Sequence, residues 1–113
     1  MYLAERKLSQ AEDSAEQCIR ILSRTGHGND ISAALAYSVL GSVYSVNDDT
    51  RAEETLRSAL DIPEKRLPPQ DYLRGEGLAS LGLFYVQRGA LEKGEPLLEK
   101  AHASFRANAK LNL

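Results

Sequence analysis

The residues whose types could do chemistry are few: His27, His102, Cys18, and the acidic cluster Asp48-Asp49 with Glu53-Glu54. Asp30 lies three residues after His27, in a glycine-flanked loop, and Glu99 three before His102 on the last helix. A zinc site needs three or four ligands, and neither pair has a third nearby. No metal site is expected. The serines include no G-x-S-x-G elbow, and no base is identifiable for any of them. No glycine-rich phosphate loop follows a strand, because no convincing strand is present. The acidic cluster falls where a helix N-terminus favours negative charge without any reaction. Arginines such as Arg20, Arg57, Arg66 and Arg106 are scattered and read as solvated faces and local ion pairs. The chain is therefore expected to be no enzyme and to need no cofactor.

The 113-residue chain carries a net charge of −2 with both signs mixed. That balance argues against a nucleic-acid partner, which would need a basic face. No apolar run approaches the roughly 20 residues that span a bilayer, so no membrane insertion is expected. Met1-Tyr2-Leu3-Ala4-Glu5-Arg6 lacks the apolar stretch and cleavage site of a secretory signal. The lone Cys18 cannot form an internal disulfide. Together these features predict a soluble protein in a reducing, cytoplasmic compartment. A chain of this length can bury one modest core, and a single domain over residues 1–113 is expected.

Ala, Leu, Glu and Arg dominate the long segments, with apolar positions spaced by three and four, which predicts helices throughout. The first is expected from about Tyr2 to Arg24, with Leu8, Ala11, Ala15, Cys18 and Leu22 on its buried face and glycines ending it. Asp30 is placed to cap a second helix holding Leu35, Val39, Leu40, Val43 and Tyr44. After the turn Asn47-Asp48-Asp49, a third helix runs to about Leu60 or beyond, with Pro63 expected to bend or weaken its end. Leu67-Pro68-Pro69-Gln70 is the clearest break. A fourth helix is expected from near Asp71 to before Gly89, and a fifth from about Leu91 to Ala107.

These helices repeat. Leu40-Gly41-Ser42-Val43-Tyr44 returns as Leu81-Gly82-Leu83-Phe84-Tyr85, 41 residues on. Ala11, Ala15 and Cys18 match Ala52, Leu56 and Ala59 at the same spacing, and those match Gly94, Leu98 and Ala101 at 42. Cys18 thus fills a slot occupied elsewhere by alanine, and a small buried residue is expected there. A fixed period of this size predicts stacked helical hairpins. Gly41 and Gly82 would let the first helix of each hairpin approach the second closely.

Leu-Gly-x-x-Tyr in one helix, a turn residue such as Gly89, then small, large and small residues in the next resemble the tetratricopeptide repeat. The spacing, and Leu91-Glu92-Lys93-Gly94-Glu95-Pro96-Leu97-Leu98-Glu99-Lys100-Ala101, are similar to the longer kinesin light chain type. Departures from that type are Ser38-Val39 and Ala79-Ser80 in place of an asparagine pair. Gly94 stands where alanine is usual, which should soften the fifth helix by about 0.5–1 kcal/mol. The resemblance implies an all-α superhelix, a helical-hairpin array of five helices and about two and a half repeats. Its borders would be a half repeat over 1–29 and repeats over 30–67 and 68–113. Further repeats of a longer array, or a second copy in a homo-oligomer, are expected to cover its ends.

By the family's geometry, the partner-binding positions are Leu35, Ser38, Ser42, Ser45 and Val46 in the second helix. In the fourth they are Glu76, Ala79, Leu83, Val86 and Gln87. Chaperone-binding relatives clamp a carboxylate with Lys and Asn at such places, which Ser38, Ser42, Ala79 and Leu83 cannot do. An extended or helical peptide segment with small apolar anchors is the expected ligand. The implied function is a non-catalytic protein–protein interaction module or scaffold that holds a partner in a concave groove or joins a larger assembly. The alternative is a regulatory sensor domain of a larger signalling or transcription-regulating protein.

Overall fold

Apolar residues at helical spacing and strong local stop signals produce five α-helices: α1 (Tyr2–Arg24), α2 (Ile31–Val46), α3 (Ala52–Arg66), α4 (Tyr72–Gln87) and α5 (Leu91–Leu111). The computed structural model describes the backbone of residues 2–111 and the side chains of residues 5–110. The fold is all-α, with no strand among the described residues and with helix pairs packed as a hairpin array requires.

Three helices end in the same way. After α1, α2 and α4 one residue takes the left-handed conformation: Gly26 at φ 82°, Asp48 at 58° and Gly89 at 80°. The next amide then reaches back to a carbonyl five residues earlier: His27 to Leu22 at 2.7 Å, Asp49 to Tyr44 at 2.8 Å, Ala90 to Tyr85 at 2.8 Å. This is the Schellman arrangement, which satisfies carbonyls that a helix end leaves without partners. Asp48 and Gly89 occupy equivalent repeat positions, so the 41-residue period extends to the backbone of the turns.

Helix starts differ more. Asp71 caps α4, its side chain accepting from the Leu73 amide at 3.0 Å. Asp30 precedes α2 in extended conformation but makes no side-chain cap bond. Its carboxylate instead meets Nδ1 of His27 at 2.7 Å across the α1–α2 turn. Asp49 accepts from the Arg51 amide at 2.9 Å, just ahead of α3.

Pro63 does not shorten α3, which continues to Arg66. The Leu67 amide bonds the Pro63 carbonyl at 2.9 Å, and the proline ring is fully buried. The ring forfeits one bond, to the Ala59 carbonyl, and its burial offsets that loss. Pro96 is the sixth residue of α5 and is exposed.

The chain divides into two compact units, Met1–Ala59 and Leu60–Leu113, with α3 contributing to both. In the first, α1 packs on α2, and the core holds Ala15, Ala33, Ala34, Ala36, Leu40, Val43, Tyr44, Ala52, Leu56 and Ala59. A Cβ at Gly41 would stand 2.6 Å from Leu56 Cδ2, so only glycine lets that leucine seat against α2. In the second unit, α4 packs on α5 around Leu78, Leu81, Tyr85 and Ala101. There a Cβ at Gly82 would stand 3.0 Å from Leu98 Cγ. Gly41 with Leu56 and Gly82 with Leu98 are thus the same contact in two copies.

Cys18 departs from expectation: it is exposed. Ala15 is buried, and the inward stripe of α1 continues to half-buried Ile19, its i+4 neighbour, rather than to Cys18 at i+3. The alanine at the same slot in α3, Ala59, is buried.

Candidate protein-interaction site

Helix α2 contains no charged residue over its sixteen positions. Ala33, Ala34, Ala36, Leu40, Gly41, Val43 and Tyr44 turn inward and explain part of that composition. The opposite face does not need to be apolar for folding, yet it is. Leu35 is 48% exposed, Val39 47% and Val46 68%, with exposed Ser42 between them. Positions 35, 39, 42 and 46 fall at i, i+4, i+7 and i+11, a single stripe down the helix. Ser38 and Ser45 flank it, half-buried.

The matching stripe on α4 is more mixed. Leu83 is 49% exposed and Gln87 is exposed, while Glu76 and Ala79 are half-buried. Tyr72, exposed at the start of α4, extends the line and stacks on Phe105 with ring centroids 5.3 Å apart. Val86 has a different place from the one its register suggested. It is half-buried, and a Cβ on Gly94 would come within 2.6 Å of its Cγ2, so it packs between α4 and α5.

Val39, which completes the apolar stripe, was not among the partner-binding positions expected from the sequence. The signal was present: Val39 is four residues from Leu35 and seven from Val46, both placed outward. The two stripes lie one in each unit.

Electrostatics near these faces are local. The Tyr44 hydroxyl donates to Glu16 Oε1 at 3.0 Å, and the Arg51 guanidinium lies 4.2 Å from the ring centroid. Burial, with the Glu16 hydrogen bond and charge next, holds the Tyr44 hydroxyl above its usual pKa. The Arg51 side chain bonds both Asp49 oxygens, at 3.1 and 2.8 Å, and this pair lowers the Asp49 carboxyl to about 2. In the second unit Arg88 lies over Phe84 at 4.7 Å and Lys93 over Tyr85 at 5.6 Å. Each of these cations lies over a ring face, the geometry of favourable cation–ring attraction.

Among the described residues no group of three or more His, Cys, Asp or Glu is placed to hold a metal ion. His27 is engaged with Asp30, and both are exposed or nearly so. No described helix is long and apolar enough to cross a membrane. Comparison with family models, with curated proteins and with solved structures found no match.

Proposed function

We propose that this chain is a non-catalytic protein–protein interaction module of tetratricopeptide-like hairpins. It takes an apolar segment of another protein, or of a neighbouring subunit in an assembly, on the exposed stripe of α2, and the stripe of α4 is a second such surface in its own unit. The observation that carries this reading is the charge-free α2 helix with Leu35, Val39, Ser42 and Val46 open on one line. Solvent-facing helices ordinarily carry charged or polar residues there, whereas helix-in-groove recognition uses anchors at such spacings.

Covering the exposed parts of Leu35, Val39 and Val46 would contribute about 1 kcal/mol each. That is enough to anchor a segment on α2 and leaves specificity to the flanking Ser38 and Ser45. The hairpin reading is supported by the paired contacts of Gly41 with Leu56 and Gly82 with Leu98, and by the repeated turn geometry.

Affinity capture with the wild-type chain and with Leu83→Arg, checked for intact helicity by circular dichroism, tests this reading. A partner retained by the wild type and lost by the folded variant is the expected result. A partner retained equally by both would place binding on a different surface from α4.

A further inference from the structure

The second unit contains a cleft of about 420 Å³ that the interaction stripes do not use. The end of α3, the α3–α4 connection, the start of α4 and the last turns of α5 enclose it. Leu78, Ala103 and Ala107 supply apolar surface, while Arg74 and Lys100 bring two positive charges against the single negative charge of Glu64. Its size and its mixture of apolar lining with a few convergent polar groups suit a small ligand.

Arg74 is held there incompletely. Its Nη1 donates to the Leu67 carbonyl at 3.1 Å. Its Nη2 lies 3.9 Å from Glu64 Oε2, beyond hydrogen-bond length. Its Nε is buried with no hydrogen-bond partner, the one buried side-chain nitrogen or oxygen so placed among the described residues. An unsatisfied buried donor is costly, and a guanidinium offers a planar edge that a carboxylate can bridge with two parallel bonds. The Nε–Nη2 edge is the one that lacks close partners. A ligand that bridges this edge requires the guanidinium to turn so that the buried Nε becomes accessible. By contrast, the Ser104 hydroxyl is already committed, donating to the Pro69 carbonyl at 2.7 Å.

We propose that this cleft binds a small amphiphilic carboxylate, its head group taken by Arg74 and Lys100 and its aliphatic tail laid over Leu78, Ala103 and Ala107. Glu64 competes for the same guanidinium edge and is displaced on binding. The site is independent of the partner-binding stripes.

The test is a titration of the isotope-labelled full chain with octanoate below its micelle concentration, followed by amide and arginine Nε–H resonances. Octylamine and octanol, which carry the same tail, are the controls. Octanoate is expected to give saturable shifts at Gln70, Leu78, Ala103, Ala107 and the Arg74 side chain, with none from octylamine. Arg74→Gln should raise Kd by about tenfold or more, the effect of losing a charge-assisted bidentate pair. If Arg74→Gln does not fold, two surface variants keep the test open: Lys100→Met should weaken octanoate binding and Glu64→Gln should strengthen it. Equal shifts from octanol or octylamine would overturn the proposal. So would octanoate binding that none of the three substitutions alters, or no saturable shift at all.

Discussion

At Gly94 an added Cβ would stand 2.6 Å from Val86 Cγ2 and 2.7 Å from the carbonyl oxygen of Gly82. The sequence alone presents Gly94 both as a small residue that permits close helix approach and as a soft point in α5, where alanine would add about 0.5–1 kcal/mol of helix stability. The structure reverses the sign, because a backbone oxygen cannot move aside as a side chain can. Gly94→Ala should therefore lower stability by about 1 kcal/mol or more, since overpacking at a close helix contact outweighs the propensity gain. Urea unfolding measures the difference, and a stabilised variant would contradict the close α4–α5 approach. Gly82→Leu meets the same interface from the other side and should cost about 1–3 kcal/mol. The period in the sequence marked Gly82 as a packing position. It could not show that Gly94 faces it, because the contact depends on how two helices rotate about their axes.

The helix boundaries were legible because their signals are local. Gly26, Asp48 and Gly89 sit where left-handed backbone is needed, and the structure places each at positive φ. Nothing lies within 4 Å of a Cβ built on Gly89, so only backbone conformation opposes a side chain there. Gly89→Ala should accordingly cost about 1 kcal/mol, the penalty of holding an L-residue in that region, measurable as a lower urea midpoint. Pro63 does not stop α3, which runs to Arg66 in keeping with an end at about Leu60 or beyond, and its ring is buried in the second unit. Cys18 was misleading, since the repeat pattern names a slot but not which edge of α1 stays open.

The turn before α3 also carries a pH dependence. The Asp49 carboxyl is held at about 2 in the fold, against an ordinary 3.8, chiefly by the Arg51 side chain and then its amide. A lowered carboxyl pKa stabilises the fold above pH 3.8, and that contribution is lost as pH falls through about 2. On so exposed a turn the effect is small. Asp49→Asn should lower the urea midpoint at neutral pH, and its deficit relative to wild type should shrink as pH falls from 3.8 to 2. A deficit that stays constant across that window would mean the ion pair does not contribute.

At the scale of the whole molecule, the helical class and the repeated hairpin contacts were readable from Leu40-Gly41 through Tyr44 and its copy at Leu81-Gly82 through Tyr85. Small residues every 41 or 42 positions can be understood only as packing sites. The candidate surface was legible in part. Leu35, Ser42, Val46, Leu83 and Gln87 are exposed where register put them, whereas Val86 is drawn into the α4–α5 contact by Gly94. Val39 was not marked as surface because α2 is apolar on both sides, and only the fold shows which side faces water. The Arg74 cleft gave no sequence signal, being assembled from three helices and a loop.

The proposed role depends on the α2 stripe being a contact surface, and Val39 is its centre. The most direct measurement is affinity capture with three helical chains compared side by side: wild type, Val39→Arg, and Glu99→Arg as a charge change on the exposed face of α5. A partner held by wild type and Glu99→Arg but lost by Val39→Arg is the predicted result. Retention by Val39→Arg, with its fold intact, would contradict the account and leave the charge-free helix α2 without the function assigned to it.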